Sequence, residues 1–316
     1  MKKILVLSIY VISFLIAGGS VSGVGFYDYT HDLTKDAEND EGFTLKRVYF
    51  TYKNNLSEDL SVKFQTDVGV VGEDERLTAF LKKAQVDWKL PTGKLTLGMQ
   101  GMNMFSVTEK TWGFRFIDKS PMDKYGFSSS ADMGIGYSGK MSGISYSVLM
   151  ANGSGYKKQE NDKFKKLSFH GVYGQPKLVK EDGYNVGLAY SMEPYEVANE
   201  ESYNKSVMSF FGGYAANGLR VGGEFDMHTD SNEDTQQIIA MYGAYKVTGN
   251  MEALVRMDMY DPSTDTDDDG ITYMIVGLNY YATDGLIITP NIRMTSFENS
   301  DEESTTIFKM NFQFKF

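Results

Sequence analysis

The sequence predicts an all-β protein, a closed antiparallel transmembrane β-barrel of about 16 strands. Three observations carry that prediction. Hydrophobicity alternates with period two along most of the chain. The connections alternate between short turns and longer, polar, acidic loops. Beyond the N-terminus, no apolar run reaches the roughly 20 residues that a spanning helix needs.

Composition narrows the alternatives. With 14% aromatic residues the 316-residue chain is not a disordered polymer, and with no cysteine it is neither a disulfide scaffold nor a zinc-thiolate module. A net charge of −11 argues against a nucleic-acid partner. No cofactor is expected.

In chain order, residues 1–22 read as a secretory signal. Lys2 and Lys3 precede the apolar stretch from Ile4 to Ala17, and Gly18, Gly19, Ser20 and Ser22 supply the small residues of a cleavage site. Cleavage is expected between Gly18 and Gly23, and loss of both lysines takes the charge from −11 to −13. Residues 23–316 then form the barrel. Leu60, Val62, Phe64, Thr66 and Val68 alternate with Ser61, Lys63, Gln65 and Asp67. Ala84, Val86, Trp88 and Leu90 alternate with Gln85, Asp87 and Lys89, and Met251 to Met259 repeats the pattern. The last strand is the clearest, with Phe308, Met310, Phe312, Phe314 and Phe316 on one side. Asn217-Gly218, Thr248-Gly249-Asn250 and Thr283-Asp284-Gly285 are hairpin turns, because Asn and Gly tolerate positive φ. The connections 31–42, 230–236, 261–270 and 298–305 are long and acidic. About 18 residues per strand plus connection suits transmembrane hairpins. Closure is the physical reason for a barrel: in lipid every backbone N–H and C=O must be paired internally, and a closed sheet has no free edge. Tyr49, Tyr52, Trp88, Tyr173, Tyr190, Tyr214, Tyr242, Tyr280 and Tyr281 are placed for interfacial girdles.

Three segments carry a family resemblance: the strand ending in Phe316; Lys46-Arg47-Val48-Tyr49-Phe50 followed by Val62-Lys63-Phe64-Gln65-Thr66-Asp67; and the long connection 104–130 with Glu109-Lys110-Thr111-Trp112-Gly113-Phe114-Arg115. On these the chain resembles bacterial outer-membrane porins, most closely the phosphate-selective porin group and its uncharacterised relatives. The resemblance implies an outer-membrane homotrimer passing small hydrophilic solutes and ions by passive diffusion. It also implies a third loop folded into the pore, and a terminal Phe316 recognised by the barrel-assembly machinery. No dense Arg/Lys run marks a phosphate site.

Charges on the strands should face the lumen, since on the lipid face they cost several kcal/mol near the midplane. That places Arg47, Lys63, Lys83, Lys89, Arg220, Arg256, Arg293 and Lys309 inside, with Asp67, Asp87, Asp132, Glu224, Asp226, Glu252 and Asp258. Arg220, Arg256 and Arg293 would form a basic sector facing Glu109, Arg115 and Asp118 of the loop, with a transverse field at the constriction. Trp112, Phe114 and Phe116 argue against a disordered loop. The Asp265-x-Asp267-x-Asp269-Gly270 run matches half a calcium loop, but the twelfth position is Val276 rather than Glu. Catalysis has little sequence support: there are three histidines (His31, His170, His228) and no G-x-S-x-G. A rim hydrolase on Asp226 and His228, and a structural or adhesive barrel with a blocked lumen, are the alternative readings.

Overall fold

The computed structural model describes residues 18–35, 37, 41–70, 76–160, 162–197, 201–231, 234–299 and 301–316. The apolar stretch read as a secretory signal, Ile4 to Ala17, lies outside them. Sixteen strands form one closed antiparallel barrel in which every strand pairs with its sequence neighbours and the first pairs with the last. They are β1 Ser20–Asp32, β2 Gly42–Asn55, β3 Leu60–Val70, β4 Leu77–Leu90, β5 Gly93–Gly101, β6 Ala131–Met141, β7 Ile144–Ala151, β8 Lys166–Gly174, β9 Gly183–Val197, β10 Glu201–Ala216, β11 Leu219–Asp230, β12 Thr235–Thr248, β13 Met251–Asp261, β14 Ile271–Thr283, β15 Leu286–Phe297 and β16 Thr305–Lys315. Ser20, Val21 and Ser22 pair with Lys53, Tyr52 and Thr51, so the barrel takes in three residues that the sequence reading assigned to the signal.

Side-chain alternation gives the cylinder two chemistries. Phe50, Phe64, Ile135, Val148, Val186, Ile239, Val255 and Val276 are exposed on the outer wall. At the short-turn end Trp88, Tyr173, Tyr184, Tyr214, Tyr245 and Tyr280 point outward, as aromatic residues do at a membrane interface. Tyr49 and Tyr242 do not belong to that girdle: Tyr242 is buried against Trp112, and Tyr49 packs edge-on against the buried Phe26.

The closing seam explains the alternating phenylalanines of β16. Gly23 N–H donates to the Phe316 carbonyl at 2.9 Å and Phe316 N–H donates back at 3.1 Å. The rings of Phe314 and Phe316 lie over Gly25 and Gly23, where a Cβ would come within 2.2 and 2.0 Å of them. Tyr27 stacks on Phe312 at 4.6 Å. An aromatic ring on one strand thus fills the space that glycine leaves on its partner. Four register shifts interrupt the ladders: one opposite Phe26/Tyr27 in β2, one opposite Gln65/Thr66 in β4, and two beside the short turns, between Lys246 and Thr248 in β12 and between Tyr281 and Thr283 in β14.

The acidic run in the β13–β14 connection forms turns closed by Ser263 and Thr266. Asp265, Asp267 and Asp269 do not converge there: among the described residues no three acidic or histidine side chains are grouped to share a metal ion. The half-motif lacks the clamp that a Glu at the twelfth position would supply.

An outer-wall charge tests the membrane assignment of these faces. Val255→Arg, in the middle of β13, should destabilise the barrel by about 2–4 kcal/mol in a urea titration in phosphatidylcholine vesicles.

Candidate functional site

The β5–β6 connection folds into the barrel. It carries two short helices, α1 (Thr108–Trp112) and α2 (Pro121–Lys124). Trp112, Phe114, Phe116 and Ile117 pack with Phe26, Tyr242, Leu254, Tyr273 and Ile275, while Met104, Phe105, Met122 and Phe127 pack with Ala189, Val207, Ile238 and Ala240. Each buried Phe, Met, Leu, Ile or Val among them contributes roughly 1.5–3 kcal/mol when removed from water. The wall thins to receive the loop, and Gly213 and Gly222 leave the room that Thr111 occupies. From the short-turn end, the β8–β9 connection (175–182) also turns inward and buries Leu178 against Gly213.

The loop's polar backbone is held by the wall. Arg220 on β11 donates from Nε to the Thr111 carbonyl at 2.8 Å and from Nη2 to Trp112 at 3.3 Å. Arg293 on β15 donates to the Ile117 carbonyl at 2.7 Å, and Asn311 on β16 to that of Phe116 at 3.2 Å. Arg256 on β13 donates to the Lys119 carbonyl, binds both carboxylate oxygens of Asp258 and lies over the Trp112 ring. Asp118 accepts from the Tyr273 hydroxyl at 2.8 Å and pairs with Lys124 at 3.2 Å and Arg293 at 3.7 Å. Burial opposes its ionisation, but Lys124, Arg293, Arg256 and Tyr273 outweigh that and hold its carboxyl well below the usual range.

The other side of the lumen stays open. A cavity of about 770 Å³ runs from Asn55 and Lys94 near the short turns to Glu109, Lys110 and Arg115 on the loop. Seven basic side chains line it (Lys53, Lys63, Lys82, Lys83, Lys94, Lys110, Arg115) against two acidic ones, Asp87 and Glu109. Three of the cations are neutralised: Lys94 by Asp87 at 3.1 Å, Lys82 by Asp67 at 3.5 Å, and Arg115 by Glu109 and by Asp123 at 2.7 Å. Lys53, Lys63, Lys83 and Lys110 form no salt bridge among the described residues. Lys53 and Lys63 stand directly opposite on β2 and β3. Burial, then the Lys177 ammonium, weaken the hold of Lys110 on its proton.

Of the residues singled out from sequence, Lys63, Glu109 and Arg115 line this cavity. Arg47 abuts it, pairing with Asp67 at 2.6 Å and donating to the Tyr49 hydroxyl. Arg220, Arg256, Arg293 and Asp118 do form one sector, but it lies beneath the docked loop rather than along the open passage. Arg256 is 0% exposed. The reason is that loop carbonyls, which a sequence does not display as partners, take up the guanidinium donors. Lys309 is occupied by Asp28 at 3.2 Å and Thr30 at 2.8 Å. Asp226 is fully buried in the wall under the loop rather than at the rim, and the His228 ring lies tilted against Phe127 with centroids 5.3 Å apart. Lys82 was missed because strict alternation puts it on the lipid face. The β4 bulge turns both Lys82 and Lys83 inward, as the β2 bulge does for Lys46, 3.6 Å from Asp28, and Arg47. A basic dipeptide inside an otherwise alternating strand was the available signal.

No family model matches the chain, and no curated protein matches it. Solved structures do. An anion-selective porin from Comamonas acidovorans superposes with TM-score 0.72 at 11% identity, covering 95% of this chain and 99% of that one. OprB of Pseudomonas putida gives 0.69 at 12%, covering 96% of each chain. The outer-membrane channel DcaP of Acinetobacter baumannii gives 0.67 at 11%, covering 95% and 98%. The chain therefore has the 16-stranded barrel fold of bacterial outer-membrane porins.

The docking arginines can be tested directly. Arg256→Ala strands the Asp258 carboxylate and should lower stability by about 3–5 kcal/mol. Arg256→Met combined with Asp258→Leu should recover most of that loss in the same urea titration.

Proposed function

We propose that this chain is an outer-membrane porin, a passive diffusion channel for small hydrophilic solutes and ions, and that its passage favours anions. The observation that carries the reading is the set of lysines on the open side of the lumen. Lys53 and Lys63 face each other across a ladder, which is destabilising for like charges unless something anionic screens them. Lys83 and Lys110 add to the same wall. Fixed charge around a narrow passage discriminates ions by sign, and low-dielectric walls strengthen that field. Lysine suits this role because its compact ammonium, on a flexible stem, releases an anion that a bidentate arginine would hold.

Several further assignments belong to this reading. The protein resides in the outer membrane, with its apolar wall in lipid. Processing between Gly18 and Ser20 leaves β1 whole. Phe316, whose backbone closes the seam, serves as the assembly signal. The protomers form a homotrimer, in keeping with OmpT of Vibrio cholerae, whose solved trimer form matches at TM-score 0.64 and 11% identity. The chain acts without catalysis: Asp226 is sealed from water, so it is no base for a rim hydrolase.

Planar-bilayer recording tests the reading. Purified protein should insert with stable open steps, and in asymmetric potassium chloride its reversal potential should carry the sign of anion preference. Lys63→Glu combined with Lys83→Glu should lower the anion-to-cation permeability ratio several-fold and move the reversal potential toward cations. Silent insertion would favour a blocked structural barrel. A cation-preferring wild type would remove the selectivity assignment.

A further inference from the structure

The docked loop covers a pair of acids that nothing neutralises. Glu224 and Asp226 sit two residues apart on the inner face of β11, 4% and 0% exposed. None of their four carboxylate oxygens meets a hydrogen-bond partner in good geometry, and neither does the hydroxyl of Ser209, 0% exposed and directly opposite Asp226 on β10. On the other flank they stand opposite Ala240 and Ile238 of β12, in the apolar patch that receives Met104, Phe105, Met122 and Phe127 of the loop.

The charged and titratable groups around the pair are engaged elsewhere. Arg256 and Asp258 on β13 bind each other, and Arg256 also holds the Lys119 carbonyl. Tyr242 on β12 donates to the Thr108 carbonyl at 3.3 Å. His228, next along the same face of β11, packs at a tilt against Phe127, and His170 on β8 is stacked on Phe211. On the loop side Thr108 faces Glu224, with its own hydroxyl donating to Phe105. Two ionised carboxylates in such a place cost several kcal/mol each. A divalent cation would need six to eight oxygens, and two carboxyls with two hydroxyls do not supply them. Protons are the remaining counter-charge.

We propose that Glu224 and Asp226 form a proton-operated latch beneath the inner loop: both carboxyls are protonated while the loop is docked, and their deprotonation releases it. The sign follows from linkage. Docked, the pair holds its protons; released into water it ionises in the ordinary carboxyl range near about 4. The docked state binds more protons, so rising pH favours release, by up to about tenfold in the docking equilibrium per pH unit for each proton lost.

The test does not depend on the barrel conducting, so its failure is separable from failure of the porin reading. The chain has two tryptophans; Trp112, on the loop itself, is pressed against the wall at 1% exposure, and Trp88 lies in the outer girdle. In a Trp88→Phe background, folded in lipid vesicles, acrylamide quenching reports Trp112 alone. Between about pH 5 and about pH 9 quenching should rise several-fold in this parent and stay low throughout in Glu224→Gln/Asp226→Asn. A flat profile in the parent would overturn the latch even if the double variant fails to fold. So would an unchanged profile in a folded double variant. Exposure of Trp112 by a chelator at constant pH, reversed by calcium ion, would also overturn it, by placing a metal where protons are proposed. Conductance recorded over the same pH range then shows whether release widens the passage.

Discussion

A length of irregular backbone enclosed inside a membrane cylinder must have its carbonyl groups hydrogen-bonded, because the lumen wall and the packed side chains around it exclude most of the water that would otherwise serve. That constraint organises this molecule. Arg220, Arg256, Arg293 and Asn311, on strands β11, β13, β15 and β16, point at the loop and donate to five successive or nearby carbonyls between Thr111 and Lys119. Arginine fits the task because its planar fork donates in several directions at once, so one side chain can hold a carboxylate and a carbonyl together. With the loop fixed to that wall, the lumen divides into a packed side and a wet side. The packed side carries small residues such as Ala189, Ala240, Gly213 and Gly222, and the wet side carries Lys, Gln, Ser and Thr.

Two kinds of basic residue therefore coexist in one lumen with different work. The arginines are saturated by fixed partners and contribute little field to the passage. The lysines at 53, 63, 83 and 110 keep their charge available to whatever enters. Acidic loops at the mouth and a basic passage within are compatible, since exposed charges separated by more than a Debye length of about 8–10 Å are largely screened from each other. The negative net charge of the chain and a positive constriction are statements about different places.

Much of the architecture was legible from residue order alone. Period-two alternation located the strands and their lipid side, and the rhythm of turns such as Asn217-Gly218 set their number. Trp112, Phe114 and Phe116 pointed to an ordered third loop, while its inward folding was what the family resemblance implied. The inward facing of the arginines was also readable. Their partners were not, since carbonyl oxygens carry no residue identity and lie more than a hundred positions away in the chain. Bulges hid more. A single inserted residue shifts the period by one, so Lys46 and Lys82 read as lipid-facing on a strict count although each turns inward beside its neighbour. The β8–β9 turn was not singled out from residue order, and its mark of inward packing is the Leu178-Val179 pair in a polar run.

The same reasoning shows why the buried acids matter to the stability of the docked loop. A wall that only needed to pack Phe105 and Met122 would be served by more residues like Ala240 and Ile238. Placing Glu224 and Asp226 among them makes docking conditional, because the apolar contacts are available only when both carboxyls are neutral, and the loop has no cation of its own directed at them. The arginines on the neighbouring strands hold the loop by donors that do not titrate in any ordinary pH range. The interface is thus built from one set of contacts indifferent to pH and one set that is not. In such an arrangement the arginines set where the loop sits, and the carboxyl pair sets how firmly it stays there.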